Sequence, residues 1–181
     1  VDMEGLANHR GSSFGALGLP PQPTTEHFEN LLWNELRALD RSRPIWLEDE
    51  SIMIGRAKVP DGVFNQLRAA NVFFVDMPQA LRAQRLVGDY GKAETKDLRE
   101  AILRIQKRLG PQHCKAALEA LEAGDLFTVA ITALTYYDKA YLRGVQERDP
   151  KNVKKMDVAT SESATIAEML LARIKEGALS A

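Results

Sequence analysis

The chain has 181 residues, 45% of them hydrophobic and 27% charged, with a formal net charge of -1. That suits one soluble domain, or one domain with an appendage, and the near-zero charge gives no bulk argument for nucleic acid or membrane. A single cysteine excludes an internal disulfide and a cysteine-based zinc site, and no run is long enough to cross a membrane, so a cytoplasmic protein is expected.

The chain opens on Val1 in structured-looking sequence, which suggests a fragment or a processed form. Residues 1–4 read as the end of a strand. Residues 5–15 then pack three glycines, His9, Arg10, Ser12 and Ser13 into one loop. Backbone N–H groups, hydroxyls and a guanidinium together are the groups that grip phosphate oxygens. No Gly-Lys-Ser/Thr comes after it, so the loop is not a Walker A motif. A plain connection whose glycines only supply positive φ stays open as the alternative.

Pro20, Pro21 and Pro23 make a stiff connector. Thr24 or Thr25 then caps a helix with Phe28, Leu31, Leu32 and Leu36 at helical spacing. Pro44-Ile45-Trp46-Leu47 leads into Glu48-Asp49-Glu50, an apolar run meeting three carboxylates. The run reads as a buried strand with the acids at its C-terminal end, where open α/β sheets bind ligands. The acids are either a Mg²⁺–phosphate site of Walker-B type or a solvated rim. Arg56 is either a phosphate contact or a surface arginine.

Pro60 starts a helix with Val63, Phe64 and Leu67 on its apolar face. Residues 72–76 form a second buried strand, followed by a helix carrying Arg82 and Arg85, which either clamp phosphate after the strand or are solvated. From Gly88 the pattern turns helical. Leu98, Ile102, Ile105 and Leu109 mark one helix, stopped by Gly110. Cys114, Ala117, Leu118 and Leu121 mark a second, with Cys114 a core residue. Asp125 caps a third, stopped at Gly144. Val153 and Val158 bracket a late edge strand, and Thr160, Ser161 or Ser163 starts a last helix. The fold expected is α/β: an incomplete P-loop NTPase-like parallel sheet of residues 1–4, 45–49 and 72–76, with a C-terminal helical subdomain. The expected domains are 1–90, a partial P-loop-like unit lacking Walker A; 91–148, helical; and 149–181, the edge strand and last helix.

Asp2-Met3-Glu4-Gly5-Leu6-Ala7-Asn8-His9-Arg10-Gly11-Ser12-Ser13-Phe14-Gly15 closely resembles a stretch of bacterial tRNA 2-selenouridine synthases. The similarity continues through Phe28-Glu29-Asn30-Leu31-Leu32, Trp46-Leu47-Glu48-Asp49-Glu50-Ser51 and Ile54-Gly55-Arg56, and returns at Tyr136-Tyr137-Asp138 and Tyr141. The resemblance implies a transferase that converts wobble 2-thiouridine of tRNA to 2-selenouridine with selenophosphate, through a base geranylated from geranyl diphosphate. Members of that family also carry a rhodanese-like domain with a reactive cysteine and a P-loop. The chain has neither the rhodanese cysteine loop nor a Walker A lysine, so it looks like a C-terminal half. A missing N-terminal region or a separate chain is expected to supply both.

On that resemblance a diphosphate or selenophosphate lies between residues 8–15 and the acidic run, with Mg²⁺. Arg10, His9 and Asp49 are the catalytic candidates. Asn8, Arg10, Gly11, Ser12, Ser13 and Arg56 are the phosphate ligands, and Glu48, Asp49 and Glu50 the metal ligands. Arg104, Lys107 and Arg108 are the candidate tRNA contacts, because basic residues outnumber acids in that stretch. An aromatic such as Tyr136 or Tyr137 would stack on a base or pack in the core. The competing class is a non-catalytic tRNA-binding or scaffold module; a third reading is an unrelated P-loop kinase-like remnant.

Overall fold

The computed structural model describes residues 1–174. In chain order the elements are α1 (Met3–Ala7), α2 (Thr25–Ala38), β1 (Met53–Ile54), β2 (Ala57–Lys58), α3 (Asp61–Ala69), β3 (Val72–Asp76) and α4 (Gln79–Tyr90). They continue as α5 (Thr95–Arg104), α6 (Gln106–Leu109), α7 (Pro111–Glu122), α8 (Leu126–Gln146), β4 (Val153–Asp157) and α9 (Ser163–Arg173). The chain divides into two compact units. One holds Val1–Ala70 and Lys92–Cys114; of the described residues, the other holds Asn71–Gly91 and 115–174.

This division runs differently from the expected boundaries at 90 and 148, for reasons of bonding. Parallel β3 and β4 pair from Val72↔Val153 to Asp76↔Asp157, which draws residues 71–91 toward the C-terminal chain. Ser13 bonds to the end of α5, which draws residues 92–114 toward the N-terminal chain. Of the expected third segment, residues 175–181 lie outside the described residues.

In the first unit the core is Met3, Ala7, Phe28, Leu32, Ile54, Ala57 and Val59. Residues 1–4 are not a strand. The Asp2 carboxylate accepts the Gly5 N–H at 2.6 Å, Met3 and Ala7 are buried one turn apart, and Asn8 closes α1 in the left-handed conformation at φ 49°. A capping acid, an i,i+4 apolar pair and a left-handed asparagine outweigh the extended reading. Of the two threonines expected to cap α2, Thr24 does so, accepting the His27 N–H at 3.2 Å. Helix α3 begins after Pro60 as expected.

Residues 45–49 are not a strand either. The segment joins neither sheet, and Ile45 and Trp46 are each 40% exposed. Its acids bond elsewhere, with the Met3 N–H donating to Glu48 Oε2 at 2.9 Å. Strands β1 and β2, next in the chain, form an antiparallel hairpin in register Met53↔Lys58 and Ile54↔Ala57.

In the second unit the expected strand 72–76 stands, and so does the late strand, now as its parallel partner. Among the described residues the small parallel sheet therefore has two strands rather than the expected three. Met77, Met156 and Val158 form one core cluster there; Ala83, Ala130 and Leu134 form another between α4 and α8. The helix expected over Leu98 to Leu109 breaks at Ile105, whose ψ of 3° leaves the helical range while its side chain stays buried. Helix α8 keeps its Asp125 cap and runs through Gly144 to Gln146, since a mid-helix glycine costs only about 1 kcal/mol. Cys114 is buried, as the core reading requires.

Candidate functional site

The site is built in the first unit from α1, the loop of residues 8–15, the acidic run and α5. The loop closes on itself. The Arg10 N–H donates to the Gly15 carbonyl at 3.0 Å, and the Gly15 N–H returns to the Ser12 carbonyl at 2.9 Å. Ser12 Oγ accepts the Phe14 N–H at 3.2 Å. Between these bonds the N–H groups of Gly11 and Ser12 have no protein acceptor among the described residues. Arg10 Nη1 reaches the Leu17 carbonyl at 3.2 Å, and Asn8 Nδ2 reaches the Pro21 carbonyl at 3.1 Å.

Two glycines set how close the loop's neighbours come. Gly11 has φ +60°, and a Cβ there would lie 2.6 Å from Glu50 Oε2. A Cβ on Gly15 would lie 2.7 Å from the His9 ring. At Gly11 a side chain would displace the Glu50 carboxylate, and at Gly15 it would meet both the His9 ring and the Arg10 backbone N–H.

The acids scatter. Glu48 takes the Met3 N–H, and Asp49 lies 3.9 Å from Arg68 Nη1. Glu50 shares a hydrogen bond with Glu4. Burial, then the charge of Glu50, push the Glu4 carboxyl up to about 7, and burial raises Glu50 as well. Two carboxyl groups in hydrogen-bond contact therefore hold a proton near neutrality. As they lie, Glu48, Asp49 and Glu50 do not converge on one point. Among the described residues no group of three or more His, Cys, Asp or Glu is placed to hold a metal ion.

His9 sits with Nδ1 buried and without a hydrogen-bond partner. Burial and then the charge of Arg104 hold its pKa below the ordinary value. Arg104 itself is bound to the loop: Nε donates to Ser13 Oγ at 3.2 Å and Nη2 to the Ser13 carbonyl at 2.8 Å. The Ser13 hydroxyl in turn donates to the Ala101 carbonyl at 2.9 Å. His9, Ser13 and Arg104, assigned from sequence to three different roles, thus meet in one place.

The family model described as "tRNA 2-selenouridine synthase AAA domain" matches residues 1–174. The chain belongs to the tRNA 2-selenouridine synthase AAA-domain family. A tRNA 2-selenouridine synthase of Bdellovibrio bacteriovorus is 30% identical over 191 residues, covering 82% of this chain and 50% of that protein. One from Sulfurovum is 36% identical over 140 residues, covering 67% of this chain and 38% of its own length. One from Shewanella oneidensis is 42% identical over 92 residues, covering 50% of this chain and 24% of that protein. The chain thus spans between about a quarter and a half of the curated relatives it matches. No solved structure matches it significantly.

In this AAA-domain chain the remaining candidates lie as follows. Lys107 and Arg108 are exposed on α6. The Arg56 side chain is exposed, while its backbone N–H donates to Gln22 Oε1 at 2.9 Å. In the second unit Tyr136 and Tyr137 pack on each other, ring centroids 4.9 Å apart. Arg82, a phosphate-clamp candidate by sequence, is instead paired with Asp138: Nη1 bonds Oδ1, Nη2 reaches Oδ2 at 3.1 Å and Nε donates to the Met77 carbonyl. No helix among the described residues is long and apolar enough to cross a membrane.

Sequence reasoning missed Glu4 as a partner of Glu50, and it missed Gln22. The Gln22 amide donates to the Ala7 carbonyl at 3.1 Å and the Ile54 carbonyl at 2.9 Å, tying α1 to the hairpin. A single polar residue inside a proline tract that supplies few N–H donors was the available signal.

Proposed function

We propose that the chain is the part of a tRNA-modifying transferase that binds a diphosphate-type group and the tRNA, in the conversion of wobble 2-thiouridine to 2-selenouridine through a geranylated base. The observation that supports it best is the closed loop of residues 8–15, with adjacent Gly11 and Ser12 N–H groups lacking a protein acceptor beside Arg10. Loss of diphosphate from a geranyl donor builds negative charge on the leaving oxygens. Two fixed N–H donors and a guanidinium stabilise such charge without reorganising. Asn8, Ser12, Ser13 and Arg56 are the further phosphate candidates, and His9 and Asp49 remain the candidates beside the reacting group. No step is assigned to Mg²⁺, because Glu48, Asp49 and Glu50 turn to three different partners. Lys107 and Arg108 are the proposed tRNA contacts. The Walker A lysine and the rhodanese cysteine belong, in this reading, to a region or chain outside this one.

The test is a titration of the chain with geranyl diphosphate and with inorganic diphosphate, followed by backbone amide NMR. Shifts centred on Gly11, Ser12 and Ser13 that vanish in Arg10→Ala support the reading. Saturation with no shift in residues 8–15 contradicts it, and leaves the chain as a non-catalytic tRNA-binding or scaffold module.

A further inference from the structure

Arg104 was expected to face the tRNA backbone. Its guanidinium is instead bonded twice to Ser13, through Oγ and through the carbonyl. We propose that Arg104 is a positioning residue of the phosphate-binding loop, acting through Ser13 and His9 rather than by touching a substrate. This deepens the phosphate-binding reading of residues 8–15 and rests on it.

Three observations carry the inference. First, the contact is long-range. Arg104 ends α5, and Ser13 is also bonded to Ala101 of the same helix, so at least three hydrogen bonds join α5 to the loop. A fork of guanidinium donors on one hydroxyl and one carbonyl fixes both the side chain and the peptide plane of Ser13. That carbonyl belongs to the Ser13–Phe14 peptide, two peptide planes along from the one carrying the Ser12 N–H, which has no protein acceptor among the described residues.

Second, Arg104 is the charged residue that acts on His9. The other charged groups near the ring in sequence are Arg10, next to it in the loop, and Glu4 on α1, whose carbonyl accepts the His9 N–H at 3.0 Å. Protonating His9 would place a positive ring beside Arg104 and an N–H at Nδ1, where no acceptor lies. Both effects keep the ring neutral.

Third, Gly15 lets the ring lie against the loop backbone, with His9 Nδ1 2.8 Å from where a Cβ would be. The ring is therefore part of the loop's packing, and its state is linked to the loop's shape.

The experiment compares Arg104→Gln and Arg104→Lys with the unsubstituted chain, using amide NMR, His9 ring titration and diphosphate binding. In Arg104→Gln, without ligand, the Ser12 and Ser13 amides should shift and the His9 pKa should rise toward 6.5. Diphosphate affinity should fall about tenfold, the loss of roughly one well-placed anchor. Arg104→Lys keeps the charge but not the fork, so it should restore the His9 titration while leaving Ser13 displaced. An Arg104→Gln variant that loses diphosphate affinity with Ser13 and His9 unmoved would make Arg104 a direct ligand contact and overturn the proposal. Unmoved His9 and Ser13 with unchanged affinity would overturn it too. The ligand-free spectra test Arg104 even if the unsubstituted chain fails to bind diphosphate, an outcome that would defeat only the phosphate reading.

Discussion

Glu4 of α1 and Glu50 of the acidic run share a hydrogen bond between their carboxyl groups, which makes the first unit sensitive to pH near neutrality. The folded pKa of Glu4 lies above its unfolded value, so the folded state binds that proton more tightly. The resulting stability is present in full below 4.5 and is lost as pH rises to about 7. His9 works in the opposite sense, because its folded pKa is lowered. The comparison of the chain with Glu4→Gln therefore isolates the carboxyl pair. Urea unfolding between pH 4.5 and 8 should show a stability difference that shifts in favour of Glu4→Gln as pH rises. A difference that does not change with pH would mean that the two carboxyls do not share a proton.

Gly11 is the second point of leverage. A Cβ there meets only the far end of the Glu50 side chain, so Glu50 can swing away, but the left-handed φ remains. Gly11→Ala should cost about 1 kcal/mol in urea unfolding. It should also drop the Glu4 carboxyl toward its ordinary value by separating the pair, read by side-chain carbon NMR. An unchanged Glu4 titration would show that Gly11 does not set the approach of Glu50.

Arg82 and Asp138 give a prediction for the second unit. Both side chains are about one-third exposed, and Gln79 adds a bond to Asp138 Oδ2 at 3.3 Å. Asp138→Ala leaves a half-buried guanidinium without its carboxylate and should cost roughly 1–3 kcal/mol. Asp138→Asn, which keeps an acceptor, should cost less. Equal stability of Asp138→Ala and the unsubstituted chain would return Arg82 to the pool of phosphate candidates.

The helices were legible because their signals are local. Thr24 and Asp125 are capping residues, Pro60 is a start signal, and Phe28 with Leu32 repeats one turn apart. Strand β3 was legible from its run of β-formers and the late strand β4 from its valines, but their pairing was not, since pairing across the chain leaves no local mark. The two failed strands have physical causes. In residues 1–4 the capping aspartate opens a helix too short for a helical period to show, and residues 45–49 are apolar without a ladder to join. For the site, the loop's residue types were legible and its partners were not. Ser13 reaches α5 and Glu50 reaches Glu4, and neither contact has a sequence pattern of its own.

That this chain meets tRNA is the central claim, and a salt-titrated binding measurement on unmodified tRNA tests it most directly. The chain should bind with an affinity on the order of micromolar or poorer, falling steeply as salt rises. Reversing charge at Lys107 and Arg108 should weaken binding and lower the salt slope by roughly 1–2, as lost phosphate contacts require. Reversing Arg37, Arg41 and Arg43 should change little. Binding that ignores salt, or equal losses from both sets of substitutions, would contradict the claim and leave the basic residues of α6 as a solvated face.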